Sequence, residues 1–322
     1  MASRMRTLAV ATTLTLATSS QGLFTTASKT DGMYLYNFST VPLLAEMLKL
    51  LVSSILLYKA FHKDPHGTNV TLDWKTARLY PIPSLIYLVH NNVQFFTLKY
   101  VDPSTYQILG NLKIVTTGIL FRVFLKRKLT KLQWWALVLL MVGATMSQVS
   151  GCGKTFNAPV EGYMFGLLSA VLSAFAGVYT EYLMKQNDDC LYWQNVQLYS
   201  CGVVFNAVAL TADDINKGFA NGFWPHTMFT GYTLVVWCVV GNLAFTGLLV
   251  SWIMKFADTI VKVYSTSMAM LVTMLISAWL FDLQPSLQLL LGILTATASL
   301  NLYYMNPLDL MPERSQEDKG VR

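Results

Sequence analysis

The apolar residues of this chain occur in blocks of about 20 residues, separated by short polar or charged stretches. Because a helix rises 1.5 Å per residue, a block of this length matches the hydrocarbon thickness of a bilayer. Hydrophobic residues make up 54% of the chain and charged residues only 12%, roughly half the charge of soluble domains. The pattern predicts an all-α, polytopic membrane protein.

We count ten such blocks, which predict ten transmembrane helices at 7–25, 36–58, 80–99, 104–125, 131–149, 162–184, 191–211, 229–253, 258–281 and 285–305. The first block is the weakest because it is rich in Thr and Ser. Arg4 and Arg6 before it also resemble the start of a secretory signal peptide. No convincing small-residue cleavage site follows, so we keep this block as a span; cleavage would leave nine.

The Lys and Arg residues outside the blocks are distributed unequally between the two sides of the membrane. If the N-terminus is cytosolic, sixteen of them fall on the cytosolic side and four on the other. The positive-inside rule therefore predicts that both termini are cytosolic. Residues 307–322 are expected to form a disordered cytosolic tail. The net charge of +6 is then largely a topology signal, and we expect no nucleic-acid partner.

Ten spans divide into two halves of five, 1–155 and 156–306, and an odd number of spans per half inverts the second half. Such inverted five-helix repeats are a common plan of secondary transporters. The loops contain no ATPase P-loop, catalytic cluster, or Cys and His pattern for a metal. The sequence thus predicts no enzyme activity, no metal and no cofactor.

Two charge pairs within the spans are expected to be satisfied by their own helices. Glu46 precedes Lys49 by three residues, and Glu181 precedes Lys185 by four. Residues at these spacings lie on the same helix face and form ion pairs. Neither pair is expected to need a ligand.

Two further lysines inside spans have no acidic neighbour within the apolar part of their span; Asp258, one turn before Lys262, marks the start of its span. Lys113 lies near the middle of the fourth span and Lys262 near the start of the ninth, the corresponding span of the second half. A charge at the bilayer centre costs about 2.5–3.5 kcal/mol, so such residues usually face a cavity or a partner. Together they predict an anionic ligand with about two charges, such as a phosphate. For Lys262, snorkelling to the nearby headgroups is an alternative.

Polar and aromatic side chains recur together in the same spans. Tyr87 and Asn91 are four residues apart in the third span, as are Asn195 and Tyr199 in the seventh. Tyr106 precedes the lysine of the fourth span by two helical turns. An amide beside an aromatic ring suits a nucleobase, which needs edge hydrogen bonds and a stacking surface. Interhelical hydrogen bonding is the alternative.

The sixth span contains Ser169, Ser173 and Gly177 at a spacing of four. Such a stripe of small residues favours close helix packing, and lining a cavity is the alternative. His90 is isolated from other metal-ligating residues, so we interpret it as structural.

The chain resembles the nucleotide-sugar transporters of the drug/metabolite transporter superfamily over about Tyr36 to Pro307. The motifs are Thr105-Tyr-Gln107, Leu112-Lys-Ile114, Leu132-Gln-Trp134, Phe175-Ala-Gly-Val-Tyr-Thr-Glu181, Asn195-Val-Gln197, Gly231-Tyr-Thr233 and Lys255-Phe-Ala-Asp-Thr-Ile-Val-Lys262. Within the family it is similar to the CMP-sialic acid branch and to the related UDP-galactose and UDP-N-acetylglucosamine carriers. The departures include Gly110-Asn-Leu-Lys113, Ala174, and Asn242 to Leu249, which looks more like the UDP-galactose carriers.

This resemblance implies a substrate-binding set of Lys113, Lys262, Tyr87, Asn91, Asn92, Tyr106, Ser173, Gly177, Asn195 and Tyr199. It also implies a Golgi membrane antiporter that carries CMP-sialic acid, or a similar CMP-linked acidic sugar, from cytosol to lumen in exchange for CMP. The alternatives are a UDP-galactose or UDP-N-acetylglucosamine antiporter and a proton-coupled metabolite exporter. A homodimer is left open.

Overall fold

The computed structural model describes residues 2–29, 34–65, 67–101, 103–148, 159–219, 222–280 and 286–305. Within these ranges the regular structure is entirely helical, in agreement with the predicted fold class. Ten helices have 18 to 26 residues, and two have four. The helices are α1 (Ala2–Ala27), α2 (Thr40–Lys63), α3 (Trp74–Ala77), α4 (Pro81–Tyr100), α5 (Pro103–Phe124), α6 (Lys131–Gln148), α7 (Val160–Lys185), α8 (Leu191–Asn216), α9 (Trp224–Thr227), α10 (Leu234–Phe256), α11 (Thr259–Leu280) and α12 (Leu287–Tyr304).

Each predicted segment corresponds to one long helix, and the largest differences, of five residues, are at the start of α1, the end of α2, the end of α8 and the start of α10. Helix α8 continues to Asn216. Its polar last turn is stabilised by the start of α9, because the Trp224 amide donates a hydrogen bond to Asp214 Oδ2 at 2.7 Å. Helix α10 begins only at Leu234 because Gly231, with φ +76°, lies in a turn before it. The disordered tail that we expect at 307–322 lies outside the described residues.

Six of the described helices, α2, α7, α8, α10, α11 and α12, are long and apolar enough to cross a membrane. Helix α1 is not among them, and its polar residues have a packing role. Thr15 Oγ1 donates to Ser265 O at 3.2 Å, and Ser19 Oγ donates to Ala269 O at 3.0 Å. The Thr and Ser content that makes this block the weakest in the sequence therefore binds it to α11.

The packing of the helices joins the two halves of the chain. Helix α1 packs against α10 and α11, and α7 packs against α4 and α5. Helix α2 contacts both α8 and α10, while α4 contacts α8 and α6 packs along α12. Each half therefore buries its first helix mainly against the other half.

The connections at one end of the bundle are also tied together. Thr71, in the connection between α2 and α3, donates through its amide and hydroxyl to Asp189 Oδ1 at 2.9 and 2.6 Å. Trp193 Nε1 donates to Thr71 O at 3.1 Å. This end contains the C-terminus of α7 and the N-terminus of α8.

Helices α6 and α12 approach most closely at two glycines. A Cβ at Gly143 would lie 2.9 Å from Gly292 O, and a Cβ at Gly292 would lie 2.7 Å from Gly143 O. Small residues allow this backbone contact, which is a main source of helix association in membranes.

We predict that Gly292→Ala lowers the melting temperature of the purified protein in detergent. The added methyl group must push the two backbones apart, a strain of about 1–3 kcal/mol. The control is Gly241→Ala in α10, where a Cβ would meet nothing within 4 Å. An equal effect of both substitutions would contradict this account of the α6–α12 contact.

Candidate functional site

A cavity with a volume of about 430 Å³ lies between α2, α4, α7, α8, α10 and α11. This volume is in the range of small-molecule sites, which are mostly apolar and contain a few well-placed polar groups. The polar groups here include Glu46, Lys49, Tyr87, Tyr199, Thr246 and Lys262.

The predicted Glu46–Lys49 pair is present and forms part of the cavity wall. Lys49 Nζ lies 2.6 Å from Glu46 Oε1 and 4.4 Å from the centroid of the Tyr199 ring. The Tyr199 hydroxyl donates to Gly247 O at 3.2 Å. The pair is therefore accessible to a ligand, and Tyr199 presents one ring face to Lys49 rather than to a base.

Two glycines make room for this pair. A Cβ at Gly202 would lie 2.8 Å from Glu46 Oε2, and a Cβ at Gly247 would lie 2.7 Å from Lys49 Cδ. The absence of side chains at these positions allows α8 and α10 to close on the pair.

Lys262 reaches across from α11 towards α7. Its Nζ lies 3.7 Å from the position that a Cβ of Gly177 would take. The predicted site residues Lys262 and Gly177 are thus neighbours, and Lys262 lines the cavity. Lys262 is the fourth residue of α11, whereas Lys113 is the eleventh of α5. The two lysines therefore lie at different distances from the starts of their helices.

Lys113 lines a smaller cavity of about 140 Å³ together with Tyr106, Asn111 and Ser267. Thr266, one turn after Lys262 on α11, lines the same cavity, so the two lysines lie near each other. Among the described residues neither ammonium group forms an ion pair. The structure thus brings the two predicted cations together without a counter-charge.

The small residues of α7 face this pair of cations. Ser169 Oγ lies 3.3 Å from His90 Nδ1, and Gly177, two turns further along α7, faces Lys262. Ser173 lies between them on the same helix face by its spacing of four. One end of the stripe therefore contacts His90 of α4, and the other end lies next to Lys262 of α11.

The other predicted residues are distributed around both cavities. Tyr87 lines the larger one, and Tyr106, whose hydroxyl accepts a hydrogen bond from Gln94 Nε2, lines the smaller. Asn195 is 2% exposed, and its Oδ1 has no hydrogen-bond partner in the part of the chain that the structure describes. Asn91 and Asn92 belong to α4, but their side chains are outside the described set.

Sequence reasoning missed several residues of the larger cavity. It assigned Glu46 and Lys49 to each other and did not place them at a site. It also overlooked Thr246, whose buried Oγ1 lines the cavity and lacks a partner within the described ranges. A buried hydroxyl without a partner favours a polar ligand. The sequence feature that could have placed Glu46 and Lys49 at a site was their position as an ion pair in the middle of an apolar span.

The fold and the cavity define a class of protein. Long apolar helices enclose an internal cavity whose wall contains cations, polar groups and aromatic rings, as in a membrane transporter for a small anionic solute.

Comparison with known proteins assigns this chain to a family. The model of the nucleotide-sugar transporter family matches residues 1–304, and the chain belongs to that family. It is 58% identical to CMP-sialic acid transporter 1 of Arabidopsis thaliana over 94% of this chain and 91% of the relative. It is 33% identical to the UDP-N-acetylglucosamine transporter of Bos taurus, over 84% and 86% of the two chains.

A solved crystal structure shares the fold with a TM-score of 0.67, at 14% identity, over 94% of this chain and 98% of the other. The helical arrangement is therefore one that occurs in an experimentally determined protein.

We predict that Lys49→Met lowers the melting temperature more than the double variant Glu46→Gln/Lys49→Met does. The single change leaves a half-buried carboxylate without its cation, which costs about 1–3 kcal/mol, whereas the double change removes both charges. Thermal unfolding in detergent measures both. The two charges would be shown not to be coupled if the double variant lost as much melting temperature as Glu46→Gln alone and Lys49→Met alone lose together.

Proposed function

We propose that this chain exchanges CMP-sialic acid, or a similar CMP-linked acidic sugar, for CMP across the Golgi membrane. The observation that carries the proposal is that Lys113 shares a cavity with Thr266, one turn after Lys262, and that neither lysine forms an ion pair among the described residues. Two cations suit a ligand with a phosphate and a second negative charge, such as the carboxylate of an acidic sugar.

The relatives support the choice of nucleotide. The proteins similar to this chain at 57–58% identity are named CMP-sialic acid transporters in Arabidopsis thaliana and rice. CMP is common to the incoming sugar and the returning monophosphate, so one site can bind each in turn and face either side alternately.

The helix order supports a division into two inverted repeats, 1–155 and 156–306. Each helix from α1 to α6 has a counterpart six positions later, including the four-residue helices α3 and α9. Contacts follow the same relation: α1 with α10 and α11 corresponds to α7 with α4 and α5. Ten spans would then place both termini, and the C-terminus of α7, in the cytosol.

A UDP-sugar antiporter is the second candidate, supported by the 33% identity to the bovine UDP-N-acetylglucosamine transporter. The segment that resembles UDP-galactose carriers begins at Asn242. However, Asn242 Nδ2 donates to Ala17 O and Gln21 Oε1, both at 2.8 Å, so this side chain is bound to α1. A proton-coupled exporter is disfavoured because Glu46, the carboxylate on the cavity wall, is already paired.

Counterflow into proteoliposomes tests the proposal. We expect labelled CMP-sialic acid to accumulate in vesicles preloaded with CMP, but not in empty vesicles or in vesicles preloaded with GMP. Preloading with UMP and offering UDP-galactose or UDP-N-acetylglucosamine tests the second candidate. Equal uptake into empty vesicles under a proton gradient would contradict exchange.

We further predict that Lys113→Ala weakens CMP binding by about 10- to 100-fold, because a charged hydrogen bond contributes about 1.5–3 kcal/mol. Calorimetric titration of a monodisperse preparation measures the loss. Lys217→Ala is the control, since Lys217 forms an exposed ion pair with Asp213 at 2.6 Å. Unchanged CMP affinity in Lys113→Ala would remove the main support for the site.

A further inference from the structure

The Glu181 carboxylate joins three parts of the chain at the C-terminal end of α7. Its side chain is completely buried. Oε1 lies 2.7 Å from Lys185 Nζ and 3.7 Å from Arg127, in the connection between α5 and α6. Oε2 accepts hydrogen bonds from the amide and the hydroxyl of Thr259, both at 2.6 Å. The sequence predicted only the pair with Lys185.

The bonds to Thr259 make Glu181 a cap for another helix. Thr259 is the first residue of α11, where backbone amides lack partners within the helix and a negative charge is favourable. Asp258 adds a second cap, accepting from the Val261 amide at 2.8 Å. Burial raises the pKa of the Asp258 carboxyl, and the nearby Glu181 charge also raises it.

Hydrogen bonds join the end of α7 to the region where α10 ends and α11 begins, and each side provides a lysine donor. Lys185 donates to Ala257 O in that region. Lys255, near the end of α10, donates to the carbonyls of Met184 and Asn187 at 2.9 and 3.1 Å. Each lysine thus donates to backbone carbonyls on the opposite side of this contact.

This cluster lies directly beside the proposed phosphate site. Thr180, which precedes Glu181, lines the larger cavity with Lys262. Gly177, one turn before Glu181, faces Lys262, one turn after Thr259. One helical turn therefore separates the Glu181 cluster from the cavity wall on both α7 and α11.

We propose that Glu181 is a latch that closes the cavity at the α7 C-terminal end and must open for substrate to pass there. This inference rests on the proposed exchange function, which makes this end the cytosolic one. Opening requires α11 and the connection between α5 and α6 to separate from α7, which breaks the bonds of one carboxylate to Thr259 and Arg127.

The latch also provides a physical reason for obligatory exchange. Breaking it without a ligand would leave a buried carboxylate with fewer partners while Lys113 and Lys262 still repel each other. An anion at the two lysines removes that repulsion and can offset the cost of opening. An empty transporter would then rarely change sides, whereas a loaded one would do so readily.

Cysteine accessibility tests the latch without relying on transport. Thr180→Cys is introduced after replacement of the native cysteines, and a membrane-impermeant maleimide is applied from the α7 C-terminal side of oriented proteoliposomes. We expect Lys185→Met, which removes the cation nearest Glu181, to increase the labelling rate about tenfold by increasing the open population. Lys185→Arg should keep the rate low.

The matched control is Lys217→Met, which removes an ion pair of the same i,i+4 spacing, with a distance of 2.6 Å against 2.7 Å for Lys185–Glu181, from the exposed end of α8. It should leave labelling unchanged. Equal labelling of Lys185→Met and Lys185→Arg, or faster labelling only from the opposite side, would overturn the latch.

A second measurement uses the chain with its native cysteines. In Lys185→Met, net CMP efflux into nucleotide-free medium should increase about tenfold relative to CMP–CMP exchange, because the empty transporter can now reorient. A merely structural Glu181 would lower both rates together, and that result would overturn the proposal. Faster labelling in a chain whose wild type transports no CMP would instead reject the exchange function and keep the latch.

Discussion

Placing a charge inside a bundle of apolar helices costs free energy, and the charged side chains of this structure are arranged in ways that reduce this cost. Two carboxylates inside the bundle form ion pairs with a lysine one turn away on the same helix, Glu46–Lys49 and Glu181–Lys185. Lys113 and Lys262 have no such partner among the described residues. The site therefore contains two positive charges that have no ion-pair partner on their own helices, and an anionic solute would supply the missing negative charge.

Packing between helices that are far apart in the sequence brings those cations together. Lys113 belongs to α5, which contacts both α7 and α11, and Lys262 belongs to α11. Neither half alone contains both the cations and the small-residue face of α7 that lies against them. The backbone contact of Gly143 with Gly292 helps to fix this arrangement far from the ligand.

The sequence predicted the ten long helices and both i,i+3 and i,i+4 ion pairs, because these depend on local hydrophobicity and spacing. It could not predict that the Glu46–Lys49 pair faces a cavity, since that depends on Gly202 and Gly247 in distant helices. It likewise gave no signal that the isolated His90 lies 3.3 Å from Ser169 Oγ of α7. Contacts between helices are set by packing across the halves, which no local pattern encodes.

The packing of α1 has a consequence for how the protein is made. Thr15 and Ser19 bond to carbonyls of α11 that lie 250 residues later in the chain. Until those residues are synthesised, the two hydroxyls rely on carbonyls of their own helix, Ala11 O and Thr15 O, at 3.0 and 2.8 Å. Helix α1 is thus synthesised early but is among the last helices to complete its packing. A chain that stops before α11 would expose that polar face, which cellular quality control can recognise as incomplete assembly.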